Sequence, residues 1–383
     1  MRHIGRKIIV IFIVTILLAL GFLALQGPVP TPINVAKTQQ EAIESSVLQV
    51  HFIDVGQGDC TLICYNGTNL LIDAGNNDKG TAVQRYLQKQ GITKLDYVIA
   101  THPDADHIGG MDVILTKFDC GKIFMPDVEN DTESYRDMMA AMEYKRYQAI
   151  VPKIGEYYAL GEEKGEQTEH ISAYFTIIAP NAEYEDNNNS SIGIRLTHGK
   201  NSFVFTGDAK EVAEKDIVAS GLELSAEVLK IAHHGSSGST THMFLEAINP
   251  TYAVISCGTD NDYGHPALGT LNRLKEAGIQ VFRTDEQGTV VATSDGNAIT
   301  FNCEPSESWK PGIALKDDEK EETISLEEIA KTYPYVINTR TGKFHKSDCE
   351  SVADMYRKNR QPTDLSREEI LEMGYVPCKS CCP

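Results

Sequence analysis

The chain has 383 residues, a formal net charge of −19 and a pI near 5.0. A surface that negative repels nucleic acid at long range, so any contact with DNA has to be local and metal-assisted. Hydrophobic content of 41% and charged content of 23% suit a globular protein with one large domain and a small one, and nine cysteines, an odd and uneven set, do not read as a disulfide framework.

At the N-terminus, Arg2, Arg6 and Lys7 precede an apolar run at 8–25 whose only polar residue is Thr15. A basic flank before an apolar core is the pattern of a signal peptide or an N-terminal membrane anchor. Residues 1–26 are therefore expected to engage the bacterial membrane and to place the rest outside the cytoplasm, anchored or secreted. Residues 27–46, bearing Pro, Thr and Gln, read as a tether.

Residues 47–303 read as the main domain. Strands are expected at 47–54, 60–65 and 69–73, the last two joined by an Asn-Gly turn at 66–67. Helices are expected at 81–90, 135–147 and 268–277. Residues 155–170 are charged and Gly-bearing, and read as a loop. Further strands are expected at 95–100, 192–197, 201–209, 227–232, 252–256, 281–285 and 287–292.

The stretch that organises this domain is Thr-His-Pro-Asp-Ala-Asp-His-Ile-Gly-Gly at 101–110, on a turn after the strand at 95–100. His102, Asp104, Asp106 and His107 put two imidazoles and two carboxylates on a rigid turn. Such groups are costly to bury together unless a cation sits among them. Later turns offer Asp208 after Thr-Gly, His233 and His234 before Gly-Ser236, and His265 within Tyr-Gly-His-Pro. No Gly-x-Ser-x-Gly elbow supplies a protein nucleophile. Asn189, Ser190 and Ser191 either donate hydrogen bonds to phosphate oxygens or form an ordinary polar turn, and Ser236 is a further candidate for substrate binding. Lys230 points at substrate or, with greater weight, at solvent.

These motifs resemble the metallo-β-lactamase-fold hydrolases. The resemblance is to the branch with Asp in place of a second His in the first motif, including the ComEC competence proteins and the phosphorylcholine esterases. It implies an α/β fold, a four-layer αββα sandwich. It also implies two divalent cations, Zn²⁺ or Mn²⁺, held by His102, Asp104, Asp106, His107, Asp208, His265 and one of His233 and His234, with His234 favoured. Within it, His102, Asp104 and the 233–234 ligand take one cation, Asp106, His107 and His265 the other, and Asp208 bridges. Asp106, Asp208 and His233 are the expected catalytic residues, and Asp59 and Asp73 are expected to buttress the metal turn or to be ordinary turn residues. An Asp-rich site makes Mn²⁺ or Mg²⁺ more competitive with Zn²⁺.

Residues 304–334, with an acidic run at 317–322, read as a solvated linker. Residues 335–383 read as a second module, in which His345, Cys349, Cys378 and Cys381 have the types and spacing of a structural Zn²⁺ site, with two disulfides as the alternative. The spacing is similar to the zinc module of Ada DNA-repair proteins, which implies DNA docking; a structural cap is the plainer alternative. The function expected is an exported phosphodiesterase that hydrolyses DNA by a two-metal hydroxide mechanism. The alternatives are a phosphorylcholine-esterase-like hydrolase of cell-wall phosphodiesters and a non-catalytic surface DNA-binding protein. No protein partner is legible.

Overall fold

The computed structural model describes residues 47–161, 173–259, 261–312, 326–338, 342–353, 355, 360–372 and 375–381. The membrane-directing segment and tether expected at 1–46 lie outside the described residues. Among those described, no helix is long and apolar enough to cross a membrane.

The first half of the main domain runs through β1 (Leu48–Phe52), β2 (Thr61–Tyr65), β3 (Thr68–Ile72), α1 (Gly80–Lys89), β4 (Lys94–Ile99), α2 (Ala105–Ile108), α3 (Met111–Lys117), β5 (Asp119–Phe124), α4 (Glu133–Lys145) and β6 (Ala149–Ile150). The second half runs through β7 (Tyr157–Ala159), β8 (Ala173–Ala179), β9 (Gly193–His198), β10 (Asn201–Phe205), α5 (Glu211–Ala219), β11 (Val228–Lys230), α6 (His242–Ile248), β12 (Tyr252–Ile255), α7 (Leu268–Glu276) and β13 (Gln280–Arg283). The chain then returns to the first half with β14 (Val290–Ser294) and β15 (Ile299–Phe301).

The described strands before residue 304 form two sheets, ordered β15-β14-β1-β2-β3-β4-β5-β6 and β13-β12-β11-β10-β9-β8-β7. β1 sits between β2 and β14, with Val50 opposite Ile63 on one side and Ala292 on the other. The inward faces supply one core, in which Phe52, Phe124, Phe175, Phe203 and Phe282 lie fully buried between the sheets. The outer face of each sheet has its own core. Val83, Leu87, Ile114 and Met138 from α1, α3 and α4 cover the first, and Ile217, Phe244, Leu271 and Leu274 from α5, α6 and α7 cover the second. Three apolar layers separate four layers of elements, which is the αββα sandwich. β3, β4 and β5 run parallel, as do β10, β11, β12 and β13. Turns leaving β4, β10, β11 and β12 therefore gather at carboxyl ends of parallel strands, where α/β sheets place their sites.

Two expectations are corrected. The stretch at 155–170 is not all loop: Tyr157–Ala159 pairs antiparallel with β8, and Tyr158 stacks on Phe175 with ring centroids 5.2 Å apart. Apolar contact overrides the charged neighbourhood there, and 162–170 lies outside the described residues. Nor is 304–334 wholly a solvated linker. Ser306 N donates to Val281 O (2.7 Å), Arg283 Nη1 donates to Lys310 O (2.7 Å), and Trp309 packs against the outer core of the second sheet. Leu326–Thr332 is a helix, α8. In the C-terminal region β16 (Tyr335–Asn338), β17 (Lys343–Lys346), β18 (Arg360–Thr363) and β19 (Val376–Pro377) make a third sheet, ordered β18-β16-β17-β19, beside α9 (Arg367–Glu372).

Candidate metal centre

The turn after β4 is held by its backbone. Asp59 N donates to Asp106 O (3.1 Å), Ala74 N to His107 O (2.8 Å) and Gly110 N to Gly75 O (3.0 Å). Asp73, at the end of β3, is fully buried and fully used. It accepts from Thr101 N (2.8 Å), Thr101 Oγ1 (2.7 Å) and His107 Nδ1 (2.8 Å). That last bond fixes the tautomer of His107 and aims its Nε2 into the cleft. His102 is set similarly: its Nδ1 lies 3.2 Å from Thr101 Oγ1 and 3.3 Å from Ser191 Oγ, and its Nε2 faces Asp104 Oδ2 at 3.7 Å. Asn187 Nδ2 donates to the other oxygen of Asp104 (3.3 Å).

The second half contributes from three turns. Gly207 sits at φ +51°, and a Cβ there would lie 2.8 Å from Ser191 Oγ, so only glycine brings Asp208 round after β10. His233 and His234 follow β11 with φ of 52° and 54°. Two consecutive non-glycine residues in the left-handed region store strain, which persists where a fold needs those side chains in place. His234 Nδ1 donates to Ser256 O (3.0 Å), leaving the Nε2 lone pair 3.2 Å from Asp106 Oδ2 and 3.5 Å from Asp208 Oδ2. His233 Nε2 lies 3.7 Å from Asp208 Oδ2. His265 is fixed by Asn261, whose Oδ1 accepts from His265 N (3.0 Å) and whose Nδ2 donates to His265 O (2.6 Å). Its ring lies 5.6 Å from that of His233 and stacks at 5.6 Å on exposed Tyr263.

One atom each from Asp106, His107, Asp208 and His234 lies within 4.8 Å of the others. Nε2 of His102, His107 and His234 and Oδ1 of Asp208 are buried without a hydrogen bond. His107 Nε2 is 3.2 Å from that same Asp208 oxygen, so lone pair faces carboxylate. Burial works against the charges of His107 and His234, yet Asp208 with Asp73 beside one and Asp59 beside the other holds both imidazoles well above the ordinary range. Burial raises Asp106, but the His234 hydrogen bond and nearby imidazoles outweigh it and bring the carboxyl down to about 2. A cluster that must hold protons to satisfy itself is a cluster that a divalent cation fits. The donor set of imidazole and carboxylate suits Zn²⁺ or Mn²⁺.

The structure groups some expected residues differently. His234 joins Asp106 and His107 rather than His102 and Asp104, because Ser256 O turns its ring toward α2. Asn189 and Ser191 point inward rather than to a substrate: Asn189 Oδ1 accepts from Lys210 N (3.0 Å), and Ser191 Oγ accepts from Asp208 N (3.1 Å). Ser190 is buried beside them. Ser236 Oγ accepts from Gly238 N at 3.4 Å within its own turn. Lys230 meets neither substrate nor solvent, since its Nζ is buried against Asp59 at 2.9 Å. Asn187, Asn261 and Gly312 escaped the sequence reading. A Cβ at Gly312 would lie 2.0 Å from His265 O, so the 304–312 strap presses on the His265 turn. Of these, only the Asn run carried a sequence signal.

In the C-terminal module His345, Cys349, Cys378 and Cys381 also offer ligand atoms within 4.8 Å of one another. His345 Nδ1 is 3.7 Å from Cys349 Sγ. No disulfide joins cysteines among the described residues. Backbone N–H groups of Ser380 and Cys381 draw the Cys378 thiol down to about 7, favouring the thiolate that a metal takes.

Residues 53–259, just over half of the chain, match the family described as Metallo-beta-lactamase superfamily. The chain is 29% identical over 282 residues to ComE operon protein 3 of Bacillus subtilis, covering 68% of this chain and 35% of that protein. It is 32% identical over 248 residues to Recombination protein 2 of Haemophilus influenzae, covering 63% and 28%. The chain thus spans about a third of the length of these relatives. It superposes on the metallo-beta-lactamase fold protein YhfI from Bacillus subtilis with a TM-score of 0.44 and 13% identity, over 65% of this chain and 99% of that one. The chain belongs to the metallo-beta-lactamase superfamily.

Proposed function

We propose that the protein is an exported, metal-dependent phosphodiesterase that hydrolyses DNA. The observation that carries this is the convergence of bare ligand atoms from both halves, His102, His107, His234 and Asp208, with no protein nucleophile among them. Asp106, His107, Asp208 and His234 would hold one divalent cation, and His102, Asp104 and Asp208 a second, with His233 and His265 beside them. Such a pair supplies Lewis acidity and a water of lowered pKa for in-line attack on phosphorus. The protein's own part is to fix the ligands. Asp73 and Ser256 hold the tautomers of His107 and His234, and Thr101 with Ser191 steadies His102. His233 is the partly exposed imidazole at the edge of the cluster, its Nε2 3.7 Å from Asp208 Oδ2, and is placed to hold or release a proton at the leaving oxygen. Competence and recombination in the relatives' names favour DNA as substrate, and the basic flank with the apolar run at 8–25 favours export. One Zn²⁺ in the C-terminal module, on His345, Cys349, Cys378 and Cys381, completes the metal content. Cleavage of linear DNA by the full-length chain with Mn²⁺ or Zn²⁺, abolished by chelator, tests the proposal; intact DNA under every metal overturns it.

Two predictions arise here. His233→Gly relieves left-handed strain of about 1 kcal/mol while deleting the imidazole. The melting temperature is expected to stay level or rise as DNA cleavage falls by on the order of a hundredfold. Thermal melts and rates on one preparation decide it, and lower stability with full activity would contradict it. Tyr263 is 66% exposed, and its ring is set on His265. It offers a sequence-tolerant platform for a base next to the scissile phosphate, so Tyr263→Ala should raise KM for single-stranded DNA roughly tenfold with little change in kcat.

A further inference from the structure

We infer that the buried Lys230–Asp59 pair is a brace between the two halves of the domain that sets the spacing of the metal ligands, and that both are positioning residues. The inference rests on the metal reading above. Asp59 belongs to the first half, in the turn between β1 and β2, and Lys230 ends β11 in the second. Lys230 Nζ donates to Asp59 Oδ2 and to Ile231 O, each at 2.9 Å, and forms an ion pair with Asp59 Oδ1 at the same distance. Both side chains are almost wholly enclosed, 3% and 5% exposed, so the ammonium is out of reach of a substrate phosphate.

Asp59 touches the ligands of both halves. Its N–H donates to Asp106 O (3.1 Å) in the first-half turn, and its carbonyl accepts from Gly75 N (2.9 Å). Its Oδ1 stands 3.3 Å from Nδ1 of His234, the second-half ligand that meets Asp106. Lys230 thus pulls on a residue that touches Asp106 and His234 at once. Stability alone does not call for such a pair. Burying two charges is costly, and well-packed apolar residues often replace a buried ion pair without loss. An apolar pair cannot supply the directional hold on His234 or a fixed span between halves, and partners of metal ligands of this kind typically change metal affinity ten- to a hundredfold.

The test is Co²⁺ binding to the metal-free full-length chain, read by calorimetry and by the visible spectrum of the bound ion. Lys230→Met/Asp59→Leu is expected to keep the wild-type melting temperature within a few degrees, to bind Co²⁺ at the hydrolase site about 10- to 100-fold more weakly, and to shift the spectrum. Lys230→Arg/Asp59→Glu keeps both charges and alters only the span. It is expected to change affinity and spectrum in the same direction, and it decides the matter if the apolar pair does not fold. Wild-type affinity and spectrum in a folded double variant overturn the brace alone. A wild-type chain that takes up no Co²⁺ at this site overturns the metal reading, and the brace with it.

Discussion

Asp208→Ala is expected to cut DNA hydrolysis on the order of a thousandfold or more and to leave the hydrolase site unable to retain its full complement of metal. Asp208 is nearly inaccessible, and its two oxygens address different partners. Oδ1 faces His107 of the first half at 3.2 Å, while Oδ2 faces His234 and His233 of the second at 3.5 and 3.7 Å. Asp106 also lies near imidazoles of both halves, but Asp208 gives a separate oxygen to each side of the cleft. Without it, His107 and His234 are left with Asp106 as the one shared anion, and the His233 side loses its carboxylate. Asp208→Asn keeps the shape and one neutral oxygen donor, so it should fall between wild type and Ala. Metal analysis on equilibrated protein and cleavage rates at saturating Mn²⁺ separate lost affinity from lost chemistry. Full metal content with full activity in the Ala variant would refute the bridging role.

Cys378→Ser is expected to unfold the C-terminal module and leave the main domain folded. The module has little to hold it otherwise. Among the described residues its cores are two small groups, Ile329, Val336, Val352 and Met355 on one side, and Ile337, Phe344 and Ile370 on the other. So little buried apolar area does not offset the chain entropy of a small domain, and such folds depend on metals or disulfides. Structural zinc in sites of this kind is worth on the order of 10 kcal/mol. The variant should lose one zinc per chain and become open to protease beyond residue 326, while the main domain, with its 304–312 strap, keeps its thermal transition. Chelation of the wild type should do the same. A module that stays protected without zinc would show that another interaction holds it.

Much of this was legible because metal chemistry is local in sequence. His102, Asp104, Asp106 and His107 lie within one turn, Asp208 and the two histidines at 233–234 closely follow strands, and His265 lies in the loop after β12, so the order of apolar runs and turns places them. What sequence could not give was how the ligands pair. His234 goes with Asp106 because Ser256 O, far along the chain, orients its ring. The roles of Asn189 and Ser191 depend on their meeting Lys210 N and Asp208 N across the fold, and polar side chains on a turn look alike whether they face in or out. Lys230 was misread for a related reason: a lysine at a strand end usually reaches solvent, and only the tertiary fold shows Asp59 waiting for it. Trp309 and Gly312 lie in the stretch that reads as a solvated linker, because a strap packed through backbone bonds has no periodicity to betray it.

The most direct measurement is anomalous diffraction from crystals of the full-length chain loaded with Mn²⁺ or Zn²⁺. The account predicts strong peaks between the turn at 102–107 and the residues Asp208, His233 and His234, with Asp208 in contact with both ions if two are present, and a separate zinc peak at His345, Cys349, Cys378 and Cys381. A saturated crystal with no peak within bonding distance of His107, Asp208 and His234 would contradict it.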